Sequence, residues 1–210
     1  MHADEWNKEA GLTFEVLFPS NAMDPGFERL DEMLEIIEST GEEFRPRKMR
    51  LKRRKLKYSR QKLRERLHEA TFRKHTAFHL LCDRFGEAFY ALSFFGGYEN
   101  DRSSVTLSVY PFSVFAEPGK AEERAGHLVN LARALASRFP VTAGFAHNGT
   151  DALLDMNDRQ LRERDPESVE RVYWLNLHGP RMVEQLGRPR VLSTPAFLLE
   201  ELPGGAVLWL

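Results

Sequence analysis

A chain of 210 residues with 42% hydrophobic side chains and fifteen Phe is long enough to bury one sizeable core, and its 29% charged content is ordinary for a water-soluble protein. Its one cysteine, Cys82, excludes an intramolecular disulfide, the N-terminus lacks a basic start followed by an apolar run, and no apolar stretch reaches the ~18 residues of a membrane span. A cytoplasmic protein with no membrane partner is therefore expected. The formal net charge of −1 conceals a segregation: Arg45 to Arg66 holds 13 Lys/Arg against one acid, a net +12, and the rest of the chain carries −13.

Leu12 to Phe18 is the first strand candidate, and Asn21 to Gly26 a loop. Asp24 can cap a helix that has Pro25 in its first turn. Phe27, Leu30, Leu34 and Ile37 recur at helical spacing, which predicts an amphipathic helix over Pro25 to Ser39. Glu28, Asp31, Glu32, Glu35 and Glu38 lie on its outer face, and Glu42 and Glu43 follow Gly41. Such a face is either a solvated helix surface or a docking surface for a basic partner, whose association electrostatic matching would speed. Glu32, Glu35, Glu38, Glu42 and Glu43 are the candidate contacts for such a partner.

The basic segment reads as a strand or irregular arm over Pro46 to Tyr58, followed by a helix capped by Ser59 and running to about Phe72. One reading is a nucleic-acid-binding module that uses residues 45–66. The other is a solvated basic face that offsets the acidic body. Only Tyr58 lies within the basic run, whereas single-strand stacking platforms need several aromatics.

Thr76 to Asp83 and Glu87 to Phe95 are aromatic-rich runs split by Arg84–Phe85–Gly86, a hairpin signature, and Gly96 to Asp101 is a polar turn. Val105 to Phe112 alternates as a half-buried strand. Pro118 opens a helix whose stripe is Ala121, Ala125, Leu128, Ala132, Leu135 and Phe139, and Pro140 ends it. Val141 to His147 is a further strand, Asn148–Gly149 a turn, and Asp151 to Glu163 short helical pieces. The last forty residues predict strand, short helix, strand, turn, strand. Val172 to Leu177 is apolar enough to be covered on both faces, Pro180 starts a helix that Gly187 stops, and a Pro/Arg loop follows. Phe197 to Leu202 then pairs with Ala206 to Leu210 across Pro203–Gly204–Gly205. With no repeat and no linker, the pattern gives one α+β domain over 1–210, a mostly antiparallel sheet with helices packed on one face.

The motifs of reaction chemistry are missing. His75, His79 and Cys82 have helical ligand spacing, but the run is a strand and a fourth ligand is lacking, so no metal is expected. No lysine follows an acid or glutamine by two positions, as a restriction-type nuclease would need. No nucleophile elbow, phosphate loop or dinucleotide fingerprint occurs. Asp151, Asp155 and Asp158 fit no metal loop. Cys82 reads as a buried small residue. Neither catalytic residues nor a cofactor are expected. Trp174 and Asn176 would share one strand face, either as an internal hydrogen-bond brace or as the floor of a ligand pocket.

Tyr173, Trp174, Asn176, Gly179 and Pro180, then Val183, Leu186 and Gly187, then Gly204 and Gly205, form a pattern that resembles bacterial immunity proteins of polymorphic toxin and type VI secretion systems, the immunity protein 52 family and its relatives. The pattern covers about a fifth of the chain, and its residues are of structural kinds. The resemblance implies a domain that continues past the glycine hairpin, where this chain stops at Leu210. It also implies a non-enzymatic protein that occludes the active site of a cognate antibacterial toxin, with a nuclease among the expected toxins. A nuclease presents basic surface to phosphates, which is why the five acids above are the candidate contacts.

Overall fold

The computed structural model describes residues 11–19, 28–51, 54–67, 76–82, 89–96, 102–110, 119–148 and 172–210. Strand β1 (Leu12–Pro19) lies near the middle of one ten-stranded sheet. Helix α1 (Glu28–Thr40) follows, then a single 3-10 turn (Glu42–Phe44). The basic segment becomes a hairpin, β2 (Pro46–Leu51) and β3 (Arg54–Lys57), and helix α2 (Arg60–Leu67). A meander, β4 (Thr76–Cys82), β5 (Phe89–Gly96) and β6 (Arg102–Tyr110), leads to helix α3 (Ala121–Arg138). Strands β7 (Ala143–Asn148) and β8 (Leu175–His178), helices α4 (Pro180–Leu186) and α5 (Arg188–Leu192), and strands β9 (Leu199–Glu201) and β10 (Val207–Trp209) complete the order.

Across the sheet the order is β3-β2-β4-β5-β6-β1-β7-β8-β10-β9, and every neighbouring pair is antiparallel. Because directly opposed residues share a face, the registers sort every strand into two rows. Leu56, Met49, Leu80, Leu92, Leu107, Phe14, Ala146 and Leu175 stand on one face. Apart from half-buried Leu56 they are fully buried in the main core, together with Leu30, Leu34 and Ile37 of α1, Leu63 and Leu67 of α2, and Leu128, Leu131 and Leu135 of α3. The three longer helices thus cover that face.

The antiparallel sheet and the α+β class are as the alternation and hairpin signals predict. The short C-terminal helices are an addition: Val183 and Val191 pack with Val207, Leu199 and Trp209, which belong to the opposite face. That end of the sheet is therefore covered on both sides, and all four residues of β8 are buried. Residues 188–192, expected as a loop, form α5 because Pro189 sits in the first turn, where its missing N–H costs nothing. Val172 and Phe197, expected inside strands, are exposed outside them. The loop and cap around Asp24 and Pro25, the Arg84–Gly86 turn, the Gly149 turn and the pieces over 151–163 lie outside the described residues.

Candidate functional site

Part of the segregated charge of the sequence meets across two helices. Leu63 and Leu67 bury themselves in the core, and that burial lays α2 beside α1. Arg64 pairs with Asp31. Arg60 Nη2 and Nε donate to the two oxygens of Glu38 at 2.8 and 3.3 Å, and the Tyr58 hydroxyl donates to Glu38 Oε1 at 2.7 Å. Arg45 Nε donates to the Glu38 carbonyl oxygen at 3.1 Å. Burial, then the bond to Glu38, holds the Tyr58 phenol well above its ordinary pKa. The hydrogen bond to Glu38 likewise raises Arg60. With both partners part-exposed, the Arg60–Glu38 pair is worth on the order of 1 kcal/mol. Its main effect is to clamp the basic segment onto the acidic helix.

The five candidate acids therefore occupy three environments. Glu32 and Glu35 remain on α1 with no hydrogen bond or ion pair among the described residues, and Glu35 is exposed. Glu38 is committed to Tyr58 and Arg60. Glu42 and Glu43 line a cleft of about 340 Å³ between the 3-10 turn, Tyr90 of β5 and the start of α3. Glu42 is exposed at this cleft. Glu43 turns inward, its Oε1 2.5 Å from His127 Nδ1, and the His127 ring stands edge-on to Phe44 at 6.3 Å. Lys120, Glu123 and Arg124 complete the lining, with Lys120 Nζ donating to Glu123 at 2.8 Å. The lining mixes three carboxylates with Lys120, Arg124 and His127, so it suits a partner's charged side chain better than a small ion of one sign.

The C-terminal motif residues hold backbone in place. Asn176 Oδ1 accepts from the Tyr173 N–H at 2.9 Å, and its Nδ2 donates to the Tyr173 carbonyl at 2.6 Å. This is the brace, not a pocket floor, because both ends of the amide are used. Trp174 does not share the strand face with Asn176 as expected. It precedes the strand and packs half-buried against the main core. The Tyr173 ring lies 5.3 Å from both Phe145 and His147. Gly179 packs where an added Cβ would meet the Val141 and Thr142 carbonyl oxygens at 2.3 and 2.5 Å, and its N–H donates to Thr142 O at 3.0 Å. Pro180 occupies the first turn of α4, and Gly187 ends it at φ +85.

Sequence reading missed a row of polar groups on the second sheet face. His79, Ser93, Thr106 and Glu15 stand side by side there across β4, β5, β6 and β1. His79 Nδ1 is 2.8 Å from Ser93 Oγ, and the Thr106 hydroxyl donates to Glu15 Oε1 at 3.3 Å. Burial raises the Glu15 carboxyl and lowers the His79 imidazole. The available signal was the alternation within β1, which puts Glu15 out of phase with buried Phe14 and Val16. The same alternation separates His79 from Cys82, which is buried and donates its S–H to the Phe44 carbonyl. Among the described residues no group of three or more His, Cys, Asp or Glu is placed to hold a metal, and no helix is long and apolar enough to cross a membrane. His75, Asp151, Asp155 and Asp158 lie outside the described residues.

Compared with family models, curated proteins and solved structures, the chain matches none.

Proposed function

We propose that this chain is an immunity-type binding protein, which neutralises a cognate toxin by covering its active site and catalyses no reaction itself. The observation that carries the proposal is the placement of Glu42 at the mouth of the cleft, with Glu32 and Glu35 unpaired on the helix that leads into it. A concave site with the exposed Glu42 carboxylate at its edge fits a projecting Lys or Arg of a phosphate-binding protein, where charge complementarity speeds encounter and rejects wrong partners. The resemblance of the C-terminal segment supports the same class. Its motif residues serve as scaffold, which leaves recognition to the surface of the longer helices.

The direct test is co-expression with the product of the adjacent gene. Rescue from growth arrest together with a co-purifying complex supports the reading. Simultaneous reversal of Glu32, Glu35 and Glu42 to Lys should slow association and abolish rescue while leaving the melting temperature unchanged. Normal rescue by that variant removes this surface from the account.

A further inference from the structure

The basic hairpin has a second side that the clamp against α1 does not use. In the β2–β3 register Lys48 faces Lys57, and Arg50 faces Lys55. Met49 and Leu56, the residues of opposite phase, turn to the core. All four cations therefore stand on the face away from the three longer helices. All four are exposed, and none has a hydrogen bond or ion pair among the described residues.

Two like-charge pairs set directly opposite each other destabilise a sheet. Lysines on an edge strand do discourage edge-to-edge pairing, and that accounts for Lys55 and Lys57 on β3. It does not account for Lys48 and Arg50, because β2 lies inside the sheet between β3 and β4. An anionic partner that neutralises all four would remove the repulsion.

We propose that the outer face of the β2–β3 hairpin docks the phosphate backbone of duplex nucleic acid through Lys48, Arg50, Lys55 and Lys57. The absence of other groups selects the partner. Protein interfaces are anchored by buried aromatic and apolar side chains, and lysine is depleted in them. Single-strand platforms stack bases on aromatic rings. Among the described residues no exposed aromatic or large apolar side chain stands beside these four, and Tyr58 is engaged with Glu38. Contacts made by cations alone position a backbone without reading bases. The proposal is independent of toxin neutralisation, since α1 and the cleft lie on the other side of the sheet.

The test is fluorescence anisotropy of the full chain with a labelled DNA duplex of about 20 base pairs and the matching RNA duplex, titrated across salt. Each phosphate neutralised contributes about −0.9 to the slope of log K against log salt, so four contacts contribute roughly −3 to −4. Replacing all four residues with Thr, a good strand former, should remove that part of the slope and weaken binding at least tenfold at low salt. The melting temperature of this variant should equal or exceed that of the parent, because the opposed charges are gone. A Glu32/Glu35/Glu42 to Lys variant should still bind, which separates failure of this proposal from failure of the toxin reading. The idea is overturned if the Thr variant, folded by its melting temperature, binds duplex as the parent does. It is equally overturned if the parent prefers single strands or poly-glutamate to the duplex.

Discussion

Gly179→Ala tests whether the C-terminal motif is scaffold. The added methyl would lie 2.3 Å from the Val141 carbonyl oxygen and 2.5 Å from that of Thr142. Both are backbone atoms at the entry to β7, so neither can swing aside as a side-chain tip would. Relief requires the β8–α4 corner to move away from the segment before β7, which stretches the 3.0 Å hydrogen bond from Gly179 N–H to Thr142 O. Overpacking of this kind costs about 1–3 kcal/mol, and the weakened bond adds about 1 kcal/mol. In a domain of this size 1 kcal/mol moves the melting temperature by about 2–4 °C, so the total of about 2–4 kcal/mol lowers it by roughly 4–16 °C in calorimetry. Gly126→Ala is the matched control. It lies inside α3 with nothing within 4 Å of its new Cβ. The gain in helix propensity there is about 0.5–1 kcal/mol, which should raise the melting temperature. If Gly179→Ala melts within about 2 °C of the parent, the close approach does not constrain this corner, and the motif must be retained for another reason.

Three other outcomes can be read from denaturation. Asn176→Ala removes both brace bonds to the Tyr173 backbone; urea titration should show a loss of about 2–3 kcal/mol. Burial pushes the His178 imidazole down to about 4, so between that value and the ordinary ~6.5 the unfolded chain binds more protons and stability falls as pH falls. At pH 5 the loss approaches about 2 kcal/mol, and a His178→Gln chain should show a correspondingly smaller drop in melting temperature between pH 7 and pH 5. Glu15 has the opposite sign. Burial raises its folded pKa, so stability present below its unfolded pKa is lost as pH rises through the folded value. Glu15→Gln should therefore stabilise the protein at pH 7, with the difference shrinking towards zero near pH 4.

The parts legible in the sequence were those in which one period ran without interruption. The stripe from Leu128 to Phe139 and the alternation from Val105 to Val109 each specify a buried face by themselves. Gly187 and the Pro180 start were legible because each is a local backbone requirement. What stayed hidden depends on register between distant segments. Nothing local says that Arg60 reaches Glu38, twenty-two positions earlier, or that His127 meets Glu43 across 84 positions. The acidic helix and the basic segment each looked like a separate surface, because a sequence cannot show that Asp31 and Glu38 of one meet Arg64 and Arg60 of the other. Trp174 was misplaced for a related reason: two residues of period-2 spacing share a face only if the strand has already begun, and β8 begins at Leu175.

The net +12 of residues 45–66 is therefore not one surface. Helix α2 and the residues that lead into it turn Arg60 and Arg64 towards α1, while strand alternation turns Lys48, Arg50, Lys55 and Lys57 to the other side of the sheet. That partition bears on how a basic segment can coexist with an acidic contact surface. If all the cations faced the α1 side, they would repel the basic partner that Glu32, Glu35 and Glu42 are suited to attract. With the hairpin's outer row across the sheet, the two surfaces are separated by the thickness of the core, and screening over about 8–10 Å at ordinary salt makes each nearly blind to the other. The proposed partners need not compete: occupancy of the acidic side should leave duplex affinity unchanged, and occupancy of the hairpin should leave the association rate at the cleft unchanged.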